Sequence, residues 1–320
     1  MELLIVAYHH FGDENEYQAG IYPVSSERFA RQLDIVGSHY DFISENDLSL
    51  ALQKKSELPE KCCLVTFDDG LSCQYRYAVP ILKEKSIPAV FFICTQPHTD
   101  KKAITVDKIH FLLASISIDE LLSELAVQYT GVTGKKLNWG KIGIAKISDW
   151  YRYDDEKTGR FKFFLNYQVS PDVSKKIVDN IFRIRCHMSE EDFCGRFYLS
   201  SKDLIELDEN PLFSLGLHTH THFNICGRDK KFIKEDITKN YEIIRDLFKI
   251  KNIRGISFPF GLLSNEEFEC KLSGTLEKFG LLYGVTSRKA INNDFQNPFL
   301  LSRFNTNDLP AGKRPIISFT

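Results

Sequence analysis

Residues 61–94 read KCCLVTFDDGLSCQYRYAVPILKEKSIPAVFFIC, and this stretch sets the fold. Cys62–Phe67 has the composition of a buried strand, Tyr77–Ser86 that of a helix, and Ala89–Cys94 that of a second buried strand. Strand, helix, strand in so short a span is the crossover unit that joins parallel neighbours, because a tight hairpin cannot return the chain in the same direction.

The same rhythm extends in both directions. Upstream, Leu3–Tyr8 is an apolar run, and Ser26–Tyr40 carries Phe29, Leu33 and Val36 at helical spacing. A further helix starts at Ser44, with Asp47 in capping-box position and Leu48, Leu50 and Leu52 following. Downstream the rhythm is lost between His98 and Leu199, where Ile118–Val127 and Ser170–Ile184 are helix-like. It resumes with a helix from Ser201, a strand at Leu215–Leu217, an amphipathic helix around Phe232–Phe248 and a strand at Gly255–Phe258. A helix opened by Ser264 and Glu267 and final strands at Leu282–Thr286 and Leu300–Phe304 complete the series. About seven strands separated by helices make an α/β parallel barrel the economical fold. We expect one domain over 1–320, with 98–199 as an inserted, mainly helical subdomain.

Composition excludes several classes. The chain has 320 residues, 43% hydrophobic and 26% charged, with 41 Lys and Arg against 43 Asp and Glu for a formal net charge of -2. Bulk positive charge for nucleic-acid binding is absent, and no run approaches the roughly 18 apolar residues of a membrane span. Cytoplasmic residence is the resulting expectation. The eight cysteines lack CxxC spacing and read as reduced, mostly buried side chains.

Three polar clusters stand at strand ends, where a parallel α/β fold places its reactive groups. Thr66-Phe67-Asp68-Asp69-Gly70 offers two adjacent carboxylates that can point in different directions, although such a pair alone is often only a solvated turn. His218-Thr219-His220-Thr221-His222 gathers three of the nine histidines. If the chain turns helically there, His218 and His222 face one point, and with Asp69 they would make an open site for zinc or another divalent transition metal. Ser257-Phe258-Pro259-Phe260-Gly261 could aim a backbone N–H into the same place, or be a plain turn.

In this order the clusters resemble the polysaccharide deacetylase family, also called NodB-homology or carbohydrate esterase family 4 proteins. Tyr8-His9-His10, Pro23-Val24-Ser25, Ala78-Val79-Pro80-Ile81-Leu82, Ile87-Pro88-Ala89-Val90-Phe91-Phe92, Tyr283-Gly284-Val285-Thr286 and Leu301-Ser302-Arg303-Phe304 look like the family as well. The resemblance covers roughly residues 3–96 and 200–306. It implies a distorted (β/α)7 barrel in which Asp69, His218 and His222 hold the metal, zinc first with cobalt or nickel as alternatives. Asp68 would be the general base toward water, and the Phe260 N–H would help stabilise the oxyanion.

Two departures matter. The family's late Leu-x-His motif is missing, since no histidine follows His222. Members that remodel surface polysaccharides use a first-strand histidine instead, which maps onto His9 as the acid. The usual arginine near the third cluster is also displaced, and Arg303 is the expected substitute partner of Asp68. We expect His9 within about 5 to 7 Å of the metal, separated from Asp68 by room for one amide, with His10 facing away.

The implied function is metal-dependent removal of an N-acetyl group from an amino sugar, nucleotide-linked or lipid-linked, in building a bacterial surface polysaccharide. Deformylation of a formylated amino sugar is the alternative within this chemistry. A non-catalytic carbohydrate-binding protein on the same fold is the rival outside it.

Overall fold

The structure, a computed structural model, describes residues 1–13, 21–138, 151–225, 228–261, 263–272 and 274–319. Its strands are β1 (Glu2–Tyr8), β2 (Asp41–Phe42), β3 (Lys61–Phe67), β4 (Ala89–Ile93), β5 (Phe213–Leu217), β6 (Gly255–Ser257), β7 (Tyr283–Val285) and β8 (Phe304–Asn305). All pairings between them are parallel, in the order β7-β6-β5-β4-β3-β1-β8, with β2 beside β3. Strands covered on both faces need no alternation of polar and apolar residues, which is why β3 and β4 are apolar nearly throughout.

The chain divides into two compact units, Met1–Gly12 with Val24–Lys102 and Cys194–Thr320, and Asp13–Pro23 with Ala103–Phe193. The first holds the sheet. Its edges are nearly joined by one segment: Leu301 bridges Val285, and three residues later Phe304 and Asn305 pair with Val6 and Ala7. The expected strand Leu300–Phe304 is thus two short contacts with Ser302 and Arg303 in the break, where the backbone N–H groups go to Asn292 Oδ1 and Arg288 O. The result is a distorted parallel barrel.

Strand alternation sorts the side chains into two layers. Leu4, Val6, Tyr8, Cys63, Val65, Phe67, Phe91, Leu215 and Leu217 join Phe29, Leu33 and Leu82 of the covering helices. Leu3, Ile5, Cys62, Leu64, Val90, Phe92, Tyr283 and Val285 form the second cluster, inside the curl. Phe92 and Tyr283 meet there with ring centroids 6.4 Å apart, although β4 and β7 are not neighbours.

The helices follow their caps. Ser25, Ser44, Ser200 and Ser264 each accept from a backbone N–H three residues on, and the last three form full capping boxes with Asp47, Asp203 and Glu267. The helix expected over Tyr77–Ser86 begins earlier, as a wide turn over Gln74–Ala78 leading into Val79–Lys85. Pro80 explains the widening, since it lacks an N–H and its ring crowds the carbonyl four residues back.

The second unit is helical among its described residues, with Thr105–Ser115, Ile118–Thr133, Glu156–Phe163 and Pro171–Arg185 around Leu112, Leu125, Phe161, Ile177 and Ile181. Buried Lys108 is neutralised by Asp179 and Glu190, each at 2.5 Å. This unit differs from the 98–199 expected. Leu199 and Tyr198 bond back to Gly70 and Leu71, and Gln96 to His220, so both flanks stay with the sheet. Trp139 and Trp150 lie outside the described residues, and Tyr151 is half-buried, its hydroxyl accepting from Asn166. Among the described residues no helix is long and apolar enough to cross a membrane.

Candidate active site

Period-2 alternation carries the inner layer past the strand ends. Continuing 62, 64 and 66 along β3 brings Asp68 inward; the same parity brings His9 inward from β1, His218 from β5 and Ser257 from β6. Arg303 enters from the break before β8. His9, Asp68, His218 and Arg303, with His222 and Phe260, line one cavity of about 170 Å³.

Asp68 is 2% exposed and held on both oxygens by Arg303, Nη1 to Oδ1 at 2.9 Å and Nη2 to Oδ2 at 2.6 Å. Ser257 Oγ donates to Oδ2 at 3.1 Å. Arg303 is itself oriented by Nε donation to Thr286 O and Nη1 donation to Thr66 Oγ1. Burial alone would push the Asp68 carboxyl up, but the Arg303 guanidinium, with His218 and His9, holds it well below the usual carboxylate range. Arg303 and Asp68 thus form a bidentate charge-assisted pair.

Asp69 breaks the alternation. Its φ of 74°, followed by Gly70 at 73°, turns its side chain away from the course Asp68 follows. His218 Nε2 and His222 Nε2 stand 3.3 and 3.4 Å from Asp69 Oδ1, and the three donor atoms lie within 4.8 Å of one another. This oxygen is buried and accepts no hydrogen bond of normal geometry. His218 Nδ1 lies 2.7 Å from Ser257 O; a carbonyl only accepts, so Nδ1 carries a proton and, in the neutral ring, Nε2 presents its lone pair toward Asp69. Burial pushes His222 down to about 4 and so keeps it neutral, the form that binds metals. At His218 the carboxylates of Asp68 and Asp69 outweigh burial and raise it, so a cation would compete there with a proton.

The histidines do not converge through a helical turn, as the spacing suggested. Residues 218–222 form an irregular loop in which Thr219 and His222 adopt left-handed φ values of 61° and 52°, and the His218 and His222 ring centroids meet at 5.0 Å. His220 faces elsewhere, between Thr95 Oγ1 at 2.9 Å and Asp100 Oδ2 at 3.0 Å.

A sequence profile of the polysaccharide deacetylases matches residues 55–125, which include Asp68 and Asp69. A poly-beta-1,6-N-acetyl-D-glucosamine N-deacetylase of Staphylococcus aureus is 28% identical over 169 residues, 49% of this chain and 54% of that protein. Its Staphylococcus epidermidis namesake is 25% identical over 188 residues. Over these segments the chain is similar to the polysaccharide deacetylases. It spans about half the length of the first curated relative it matches. Solved deacetylases share the fold: PplD of Streptococcus pyogenes, in complex with acetate, aligns at TM-score 0.55 and 14% identity over 95% of this chain and 92% of its own. IcaB of Ammonifex degensii aligns at 0.53 and 19% over 94% and 90%.

Against this deacetylase pattern two expected positions need comment. His9 lines the cavity and keeps a third of its side chain exposed, but its Nε2 is 3.6 Å from Asp68 Oδ2. No amide-sized gap separates them, because both project inward from adjacent parallel strands and the carboxylate attracts the ring. His10 is not among the cavity-lining residues. Phe260 has φ 63°, its ring 5.3 Å from that of His222, and Gly261 follows at 61°. A Cβ on Gly261 would stand 2.3 Å from Ser287 N, so the turn requires glycine.

The third cluster includes Ser257 without a role of its own, and Gln74 belongs to none of the clusters. Ser257 supplies both the hydroxyl on Asp68 and the carbonyl on His218, and its signal was its place as the last inward residue of β6. Gln74 is fully buried, and its Nε2 donates to His9 O at 3.1 Å and Asp68 O at 2.6 Å, tying the ends of β1 and β3 together. Nothing in its local spacing marks it.

Proposed function

We propose that the chain is a metal-dependent N-deacetylase that hydrolyses an N-acetyl group on an amino sugar of a surface polysaccharide or its carrier-linked precursor. One observation carries the reading: Asp69 Oδ1 is buried without a hydrogen-bond donor and faces two imidazole nitrogens. Burying such an oxygen unsatisfied costs several kcal/mol, which a cation offsets. Two imidazoles and one carboxylate suit zinc, or cobalt and nickel, and leave positions open for other ligands.

A divalent cation in this site supplies Lewis acidity toward water and the amide oxygen. The chain's own groups do the rest. Asp68, kept ionised by Arg303 and Ser257, takes a proton from the attacking water. His9 delivers a proton to the amine nitrogen as the C–N bond breaks, giving free amine and acetate. The Phe260 turn offers its backbone toward the developing oxyanion. The relatives' action on poly-beta-1,6-N-acetyl-D-glucosamine supports an amino-sugar substrate.

The test is acetate release from N-acetylglucosamine oligosaccharides and from nucleotide-linked N-acetyl sugars. Release that a chelator abolishes and zinc restores supports the proposal. Metal binding without release on any of these substrates would favour a carbohydrate-binding role, and chelator-insensitive release would refute metal dependence.

A further inference from the structure

We propose that Asp236 and Asn240, on the helix Lys230–Glu242, are positioning residues that set the metal-binding geometry of the His218–His222 loop; this rests on the metal-site reading above. Residues four apart share one helix face. Here that face also carries Ile233 and Ile237 and is buried, with Asp236 7% and Asn240 0% exposed. Polar side chains on such a face are costly unless fully bonded, so their partners show what they are for.

Those partners are the loop. Asp236 Oδ1 accepts from His220 N at 2.6 Å and Thr221 N at 3.3 Å, and Oδ2 accepts from Thr221 Oγ1 at 2.6 Å. Asn240 Oδ1 accepts from His218 N at 3.2 Å, while its Nδ2 donates to Ile93 O and Thr95 Oγ1, each at 3.0 Å. Asp236 thus takes the backbone N–H groups of residues 220 and 221, while Asn240 shares that of His218 with Ile93 O, also at 3.2 Å. Thr95 also bonds the His220 ring, and Lys239 of the same helix pairs with Asp100, the other partner of that ring.

The loop needs this restraint. Thr219 and His222 hold left-handed conformations that cost non-glycine residues about 1–3 kcal/mol each and persist only when their surroundings over-determine them. Released from the helix, the loop relaxes toward right-handed φ, and His222 swings away from His218. Groups that orient metal ligands typically account for about 10- to 100-fold in affinity.

The experiment measures zinc affinity of the full chain by competition with a chromogenic chelator, together with the visible spectrum of the cobalt form and the melting of the metal-free protein. Asp236→Ala is expected to weaken zinc binding about 10- to 100-fold and shift the cobalt bands. Asp236→Asn, which keeps an acceptor for both N–H groups, should recover most of the affinity and the wild-type spectrum. Unchanged affinity and spectrum in Asp236→Ala overturn the inference, as does Asp236→Asn failing to rescue. Should Asp236→Ala not fold, Thr221→Val deletes one bond only; about fivefold weaker binding is expected, and wild-type affinity overturns the inference. A wild-type chain that binds no zinc sinks the metal-site reading itself, a result distinct from wild-type binding that the variants leave unaltered.

Discussion

The two ends of the sheet's interior both bury carboxylates and treat them oppositely. At the end where the strands finish, Asp68 is gripped by Arg303 and Asp69 faces His218 and His222, and both are held below the usual carboxylate range despite burial. At the end where they begin, Glu45 is 3% exposed and receives the Tyr283 hydroxyl at 2.8 Å. Burial outweighs that bond and the more distant Arg254 charge, and pushes Glu45 up to about 7. Burial alone therefore does not mark a reactive carboxylate. Cationic or cation-ready partners do, together with an oxygen left without a donor.

The comparison breaks most visibly at Asp68. Asp68→Asn keeps the volume but removes the base, and acetate release should fall by roughly 10²-fold or more. A smaller loss follows from Arg303→Lys, which keeps the charge but gives up the two-pronged grip. One charge-assisted bond at about 1.5 kcal/mol corresponds to about tenfold in kcat, with Asp68 also titrating at higher pH in the activity profile. Activity equal to wild type in Arg303→Lys would mean that the guanidinium is only structural.

Glu45 supplies the smallest effect, on stability rather than rate. It is pushed up to about 7 from an ordinary glutamate's 4.5, so its contribution is fully present below about 4.5 and is lost as pH rises through about 7. Glu45→Gln still accepts from Tyr283 and has no charge to bury. Denaturant unfolding should show the variant gaining on the wild type between pH 5 and 8, by on the order of 3 kcal/mol. Parallel stability curves would show that Glu45 stays ionised in the fold.

How far the sequence reveals this site follows from where each residue sits. Asp68, His218 and His9 stand one residue past β3, β5 and β1, at the parity that the strand period turns inward. Arg303 comes from the family resemblance, as the substitute for a displaced arginine, and the break between Leu301 and Phe304 that admits it depends on Asn292 reaching Ser302, which no local pattern shows. Loop backbones are less legible: the spacing of His218 and His222 suggests a helical turn, whereas left-handed φ at Thr219 and His222 accompanies their convergence. Asp236 and Asn240 left a readable trace, two polar residues four apart on an otherwise apolar stripe, but their partners are long-range and no local pattern names them.

The central claim, that adjacent carboxylates divide into a base and a metal ligand, is tested most directly by the zinc content of Asp68→Asn and Asp69→Asn purified and dialysed alongside the wild type. The account predicts about one zinc per chain in the wild type and Asp68→Asn, with Asp69→Asn largely stripped. Equal zinc content in the two variants, whether both retain it or both lose it, would contradict that division.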